Sequence, residues 1–174
     1  MLKKLTMTFL VILISACGSW GEQSETQRIC PSVLITRNDA YLVQKGLNHE
    51  EFNIELIGYE GYCYYDTRIS HDKAVVTPIF KIKRLRPNDE TDIMFSFYAE
   101  TVKGPPEYLG KKTYFEKAEI PVDIIETEYR GQQAEVRIPP NMRYEFDINL
   151  GLNIAKKDKE YNKRTFDVPL GYEE

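Results

Sequence analysis

The sequence predicts an all-β fold, two antiparallel sheets packed as a sandwich, and three observations carry that expectation. Apolar residues recur at every second position in several separate stretches, the spacing of a strand with one face in a core. Turn-forming clusters of Gly, Pro, Asn and Asp punctuate the chain at intervals of about 8–12 residues. Aromatic residues are abundant, with 12 Tyr and 8 Phe, and they favour strands.

The first stretch stands outside that pattern. Lys3 and Lys4 give a positive start, 5–14 is an almost wholly apolar run, and Ser15-Ala16 supply the small residues of a cleavage site. The run is shorter than the roughly 20 apolar residues that span a bilayer. Residues 1–16 therefore read as a removed signal peptide. Cys17, directly after the small pair, makes the segment resemble the bacterial lipobox, whose cysteine receives a diacylglycerol and becomes the new N-terminus. A residue carrying two or three acyl chains anchors a protein stably, where one chain holds it only reversibly. Gly18-Ser19 follow, with no Asp beside the cysteine, which leans the address toward the outer membrane and away from the inner one.

Residues 17–28 are small, polar and charged apart from Trp20, and read as a flexible tether reaching about 20 Å. The folded domain is expected over 29–174. Its first strand is 32–36 (SVLIT), ended by Arg37-Asn38-Asp39. Residues 40–43 (AYLV) fit either a strand or one helical turn, and 46–51 a loop. Phe52, Ile54 and Leu56 alternate with polar residues as a half-buried strand. Gly58 and Gly61 suggest a bulge or bend before Tyr62-Cys63-Tyr64-Tyr65. Val76, Pro78, Phe80 and Ile82 form the next inward row, and because Pro78 has no N–H to donate, an edge position or a bulge is expected there.

Residues 87–90 make a turn by composition. Ile93, Phe95, Phe97 and Ala99 give a further inward row, and after Gly104-Pro105-Pro106 the stretch 113–120 reads as a strand opposite it. A short apolar stretch, 122–125, lies between Pro121 and Gly131. The clearest element comes late, with Tyr144, Phe146, Ile148, Leu150, Leu152 and Ile154 at every second position. It reads as a central strand, each buried side chain contributing about 1.5–3 kcal/mol. Residues 156–164 are charged and fit a helical turn or a hairpin end, and 165–168 a last strand. Seven or eight strands so spaced suggest an immunoglobulin-like or fibronectin-like sandwich.

Cysteine usage fits an oxidising compartment. With Cys17 spent on lipid, Cys30 and Cys63 are left as one pair, expected as a disulfide between the first strand and the third. A redox pair more usually has C-x-x-C spacing, and a Cys63 nucleophile with His71 as base requires the disulfide to be absent. The net charge of −4 and pI near 5.4 argue against a nucleic-acid partner.

Chemistry-bearing motifs are few. His49 and His71 sit in expected loops, too far apart with too few fellow ligands for a zinc site. No nucleophile elbow, zincin motif or phosphate-cradling loop occurs, and 88–92 lacks calcium-loop spacing. Neither a catalytic residue, a metal ligand nor a cofactor is expected. Two surfaces offer binding chemistry. Lys81, Lys83, Arg84 and Arg86 make a local basic run, suited to phosphates or an acidic partner, or else to deterring edge-to-edge pairing. Tyr59, Tyr62, Tyr64 and Tyr65 offer rings for an interface or a sugar, unless alternation turns some of them into the core.

Cys30-Pro31, Cys63-Tyr64-Tyr65-Asp66, Pro139-Pro140-Asn141, the alternating run 144–154 with its Gly, and Tyr161-Asn162-Lys163-Arg164 together resemble a group of small alphaproteobacterial envelope lipoproteins. The resemblance spans most of the chain after the leader, and Lys163 departs from the group's Tyr-Asn-Arg ending. It implies the location and the fold, and brings no activity with it. The expectation is a non-enzymatic, lipid-anchored binding or scaffold module on the periplasmic face of a bacterial membrane, with an envelope protein as partner and a possible accessory role in outer-membrane assembly. The alternative is a periplasmic carbohydrate-binding or hydrolytic domain acting on cell-wall or surface sugars, which needs a concave site with aromatic walls and paired carboxylates.

Overall fold

The computed structural model describes residues 30–45, 50–86, 91–140 and 146–160. The leader, Cys17, the tether, the turn over 87–90 and the strand expected over 165–168 lie outside these residues. Among the described residues nine strands form two sheets: β1 (Ser32–Ile35), β2 (Tyr41–Lys45), β3 (Glu50–Asp66), β4 (His71–Arg84), β5 (Asp92–Val102), β6 (Gly110–Glu119), β7 (Glu126–Arg130), β8 (Ala134–Arg137) and β9 (Asp147–Leu152). One sheet runs β1-β9-β5-β6. The other runs β2-β3-β4, with β7 and β8 sharing the far side of β4. The sheets pack face to face, as the alternating rows require.

Those rows supply the core. Phe52, Ile54 and Leu56 of β3 and Val76, Phe80 and Ile82 of β4 meet Ile93, Phe95, Phe97 and Ala99 of β5 and Ile148, Leu150 and Leu152 of β9. Phe80 crosses the gap between sheets, its ring edge-on to Phe95 at 4.9 Å and tilted against Phe97 at 5.8 Å. Phe97 stacks in turn on Tyr114 at 4.9 Å. Offset and edge-on pairs of this kind add about 0.5–1.5 kcal/mol beyond their buried area.

The late alternating run is central, as its burial on the inward row demands. β9 pairs with β5 on one side and with β1 on the other, and the β1 pairing is parallel, an exception in an otherwise antiparallel sandwich. The ambiguous 40–43 stretch is strand β2, and 156–160 is helical. The bulge expected near Gly58 is present, since the β3–β4 register shifts between Leu56 and Gly58.

Pro78 corrects the expectation for its strand. β4 is not an edge: β3 flanks it on one side and β7 and β8 on the other. The outer neighbour is broken where Pro78 sits, between Arg130 at the end of β7 and Ala134 at the start of β8. The Pro78 carbonyl accepts the Gly131 N–H there at 2.9 Å. A strand residue's N and C=O point to the same side. The nitrogen that has no proton to give therefore faces a gap in the ladder, which makes proline tolerable in an interior strand.

Three ties hold the layers in place. The Cys30–Cys63 disulfide joins the lead-in to β1 in one sheet to β3 in the other, with Cα atoms 5.8 Å apart. Glu116 of β6, buried, reaches across to the β7–β8 break, where its carboxylate accepts the Tyr129 hydroxyl at 2.9 Å and the Gln132 N–H at 2.8 Å. On the outer face of the first sheet, the Tyr98 hydroxyl donates to buried Asp39 at 2.6 Å. Lys159 of the 156–160 helical turn reaches the same oxygen at 2.7 Å.

Candidate functional site

The basic run predicted over 81–86 is not a basic surface. Lys81 lies in register between Glu55 of β3 and Glu128 of β7, with an ammonium–carboxylate distance of 3.9 Å to Glu55. Lys83 is level with Glu126. Arg84 points the other way: it is 6% exposed, its guanidinium lies 4.9 Å from the Phe52 ring centroid, and it donates to the carbonyls of Ile120, Pro121 and Ile124 at 3.4 Å. Lys83 and Arg86 are exposed, and Arg86 stands beyond the end of β4, past the acids of the neighbouring strands. A charge run in one strand is thus cancelled by acids in the strands beside it, and the edge-protecting role falls with the edge.

The tyrosines of β3 divide by alternation. Tyr62 and Tyr64 share the outer face, their rings 6.1 Å apart, with Val75 of β4 buried opposite Tyr62. Tyr65 lies on the opposite face, level with Asp72, and Tyr59 is level with Pro78. Tyr62, Tyr64 and Tyr65 therefore do not make one surface.

Beyond Tyr64 the β3–β4 hairpin ends in a charge cluster. Buried Asp66 accepts from the Arg68 side chain at 3.1 Å and lies 3.0 Å from Lys73, which also reaches Glu135 at 3.0 Å. Hydrogen bonds from Arg68 and Lys73 hold the Asp66 carboxyl well below the usual carboxylate range, against the opposing pull of burial. His71 at the start of β4 places Nδ1 2.9 Å from the Ile69 carbonyl and Nε2 2.7 Å from Arg137. A carbonyl only accepts, so Nδ1 carries the proton and Nε2 accepts from the guanidinium. Such a ring is neutral, and Arg137 gains a fixed orientation without losing its charge.

Two features carry no sequence signal that singled them out. The first is a pair of exposed apolar side chains on the outer face of the β5–β6 hairpin. Met94 faces Lys117 and Ser96 faces Phe115, so Met94 and Phe115 are diagonal neighbours, 70% and 80% exposed. Lys117 and Asp92, 2.9 Å apart, border them. β6 is an edge strand, yet its free backbone is partly occupied. The Phe115 carbonyl accepts from Gln132 at 2.7 Å and the Lys117 carbonyl from Tyr129 at 3.5 Å, which blunts the edge where the apolar pair sits.

The second feature is an open groove of about 240 Å³ where the free sides of β6 and β8 approach, at the flank of the sandwich. Its lining includes Tyr108, Tyr114, Thr101, the basic Lys112 and Arg137, and the acidic Glu107 and Glu135. The alternation that identifies core rows is blind to this groove, because its residues come from two strand ends and the connection before β6. Among the described residues no cluster of His, Cys, Asp or Glu is arranged to hold a metal ion, and no helix is long and apolar enough to cross a membrane. No protein-family model, curated protein or solved structure gives a match to this chain.

Proposed function

We propose that this protein is a non-enzymatic binding module of the bacterial envelope, anchored by lipid on Cys17, that engages a protein partner and serves as an accessory to outer-membrane assembly. One observation carries the partner-binding part. Met94 and Phe115 place two large apolar side chains side by side on an outward row, bordered by the Lys117–Asp92 pair. An apolar centre within a charged rim is the anatomy of an interface anchor. The address rests on the leader and on Cys17, and the Cys30–Cys63 disulfide agrees with an oxidising compartment.

The test has two arms. Metabolic labelling with an alkyne fatty acid should mark the protein at Cys17, and Cys17→Ser should abolish the label and shift the protein out of the membrane fraction. A photocrosslinking residue at Phe115 should give one discrete adduct in cells, absent when the same residue replaces Glu128 on the opposite sheet. An unlabelled native N-terminus would sink the anchor, and equal adducts at both positions would sink the interface.

A further inference from the structure

The basic side chains around the β6–β8 groove rest on tyrosine rings where ion pairs are the commoner arrangement. The Lys112 ammonium lies 4.9 Å from the Tyr114 centroid, the Arg137 guanidinium 5.6 Å from that of Tyr108, and the Lys111 ammonium 3.4 Å from that of Tyr98. An aromatic face attracts a cation and orients it, but leaves its full charge in place. Among the described residues none of the three is bound to a carboxylate, and the one side-chain hydrogen bond that Arg137 makes is to the neutral His71 ring at 2.7 Å. Of the two acids that line the groove, Glu135 is held by Lys73 at 3.0 Å. Lys111 lies over Tyr98 on the outer face, level with Glu100, so the charges facing the groove are Lys112 and Arg137 against Glu107. A chain of net charge −4 thus keeps a locally positive concavity.

We propose that this groove binds a phosphoryl group. A surplus of one positive charge, carried on two cations with unused donors, suits the anionic oxygens of a phosphoryl group. Arg137 has donors left over from His71 for a forked contact with two phosphate oxygens, and Lys112 supplies a point charge from the opposite wall. Tyr114 carries Phe97 on one side and Lys112 on the other, and Tyr108 carries Arg137, so the groove offers no pair of open aromatic faces to clasp a sugar ring. Recognition therefore falls on the anion. The phosphate belongs either to free inorganic phosphate or to the headgroup of a larger envelope molecule. The site lies apart from Met94 and Phe115, and stands or falls independently of the partner surface.

Calorimetric titration of the full chain with inorganic phosphate, glucose 6-phosphate and glucose tests the assignment. Both phosphates should bind saturably and glucose should not. Lys112→Gln and Arg137→Gln should each weaken binding by about tenfold or more, Arg137→Lys should lose less than Arg137→Gln, and Phe115→Ser should change nothing. Tighter binding of glucose 6-phosphate supports a phosphorylated headgroup, and equal binding supports the free ion. No saturable binding of either phosphate up to about 10 mM, or binding undiminished in the Lys112→Gln, Arg137→Gln double variant, would overturn the proposal. Urea unfolding of each variant separates lost binding from lost fold, and Lys112→Gln, at an exposed position, carries the test if Arg137→Gln unfolds.

Discussion

Gly151 decides how closely Tyr98 can lie on the first sheet. A Cβ at this position would stand 2.7 Å from both the Cζ and the hydroxyl of Tyr98 and 2.8 Å from the Asp39 Cβ. The ring is wedged between β9 and the 3-10 turn Arg37–Asp39, and burial together with its bond to Asp39 pushes the Tyr98 hydroxyl well above the ordinary tyrosine pKa. Gly151→Ala should therefore cost about 1–3 kcal/mol, the range for overpacking, seen as a lower urea midpoint at unchanged m-value. Gly58→Ala, where nothing lies within 4 Å of the added carbon, should leave the midpoint nearly unmoved. The sequence marks Gly58 as a bulge or bend and Gly151 only as one of the outward positions of the late alternating strand. The alternation turns Gly151 outward but does not show that a tyrosine from β5 covers it, because that contact depends on a pairing of residues far apart in the chain. Arg84 escaped for a related reason. In Lys81-Ile82-Lys83-Arg84 the charges look continuous, but period 2 places Arg84 on the row of Ile82.

Among the elements, β7 and β8 were missed, and their composition explains it. Glu126, Glu128 and Arg130 face solvent, the inward positions of β7 are only Thr127 and Tyr129, and β8 contributes just Ala134 and Val136. Two short strands side by side on one interior strand do not need the long apolar rows that exposed β3, β5 and β9. They are held partly by polar chemistry, through Glu116. Glu116→Ala strips the acceptor from the Tyr129 hydroxyl and the Gln132 N–H, at a cost of about 1–3 kcal/mol in denaturant unfolding. The same strand pair sets an alkaline limit. Burial first, and the Glu116 bond second, push the Tyr129 hydroxyl from 10.0 up to about 12. A proton held more tightly in the native state stabilises the fold fully below pH 10. That contribution is lost as pH rises from 10 through about 12, where the unfolded chain ionises first. Stability should fall over that window, and Glu116→Ala should move the Tyr129 absorbance titration down toward 10.

At the scale of the whole molecule, the two-sheet architecture was legible because each of its long strands wrote its own alternation into the chain. The strand order was not. That β1 lies parallel to β9 follows from a pairing of 32–35 with 147–150, which no local pattern encodes. The disulfide could be read from cysteine arithmetic alone, and it closes a separation of 33 residues. In the chain-entropy model such a loop stabilises by roughly 3–4 kcal/mol, so the Cys30→Ala, Cys63→Ala double variant should lose about that much in equilibrium unfolding. If the loss were negligible, the two sheets would owe their registry to packing alone.

The same covalent link has a mechanical consequence. β1 is a four-residue edge strand, and tension applied along the chain ahead of it would unzip its few bonds to β9 one after another. Cys30 precedes that strand and is joined to β3 in the other sheet, at the fourth pair from the turn of the β3–β4 hairpin. A pull arriving from the N-terminal side therefore divides at the sulfur and enters β3, whose pairing with β2 and β4 shares the load with β1. The weakest edge of the domain is spared part of the force by the bond that lies just in front of it.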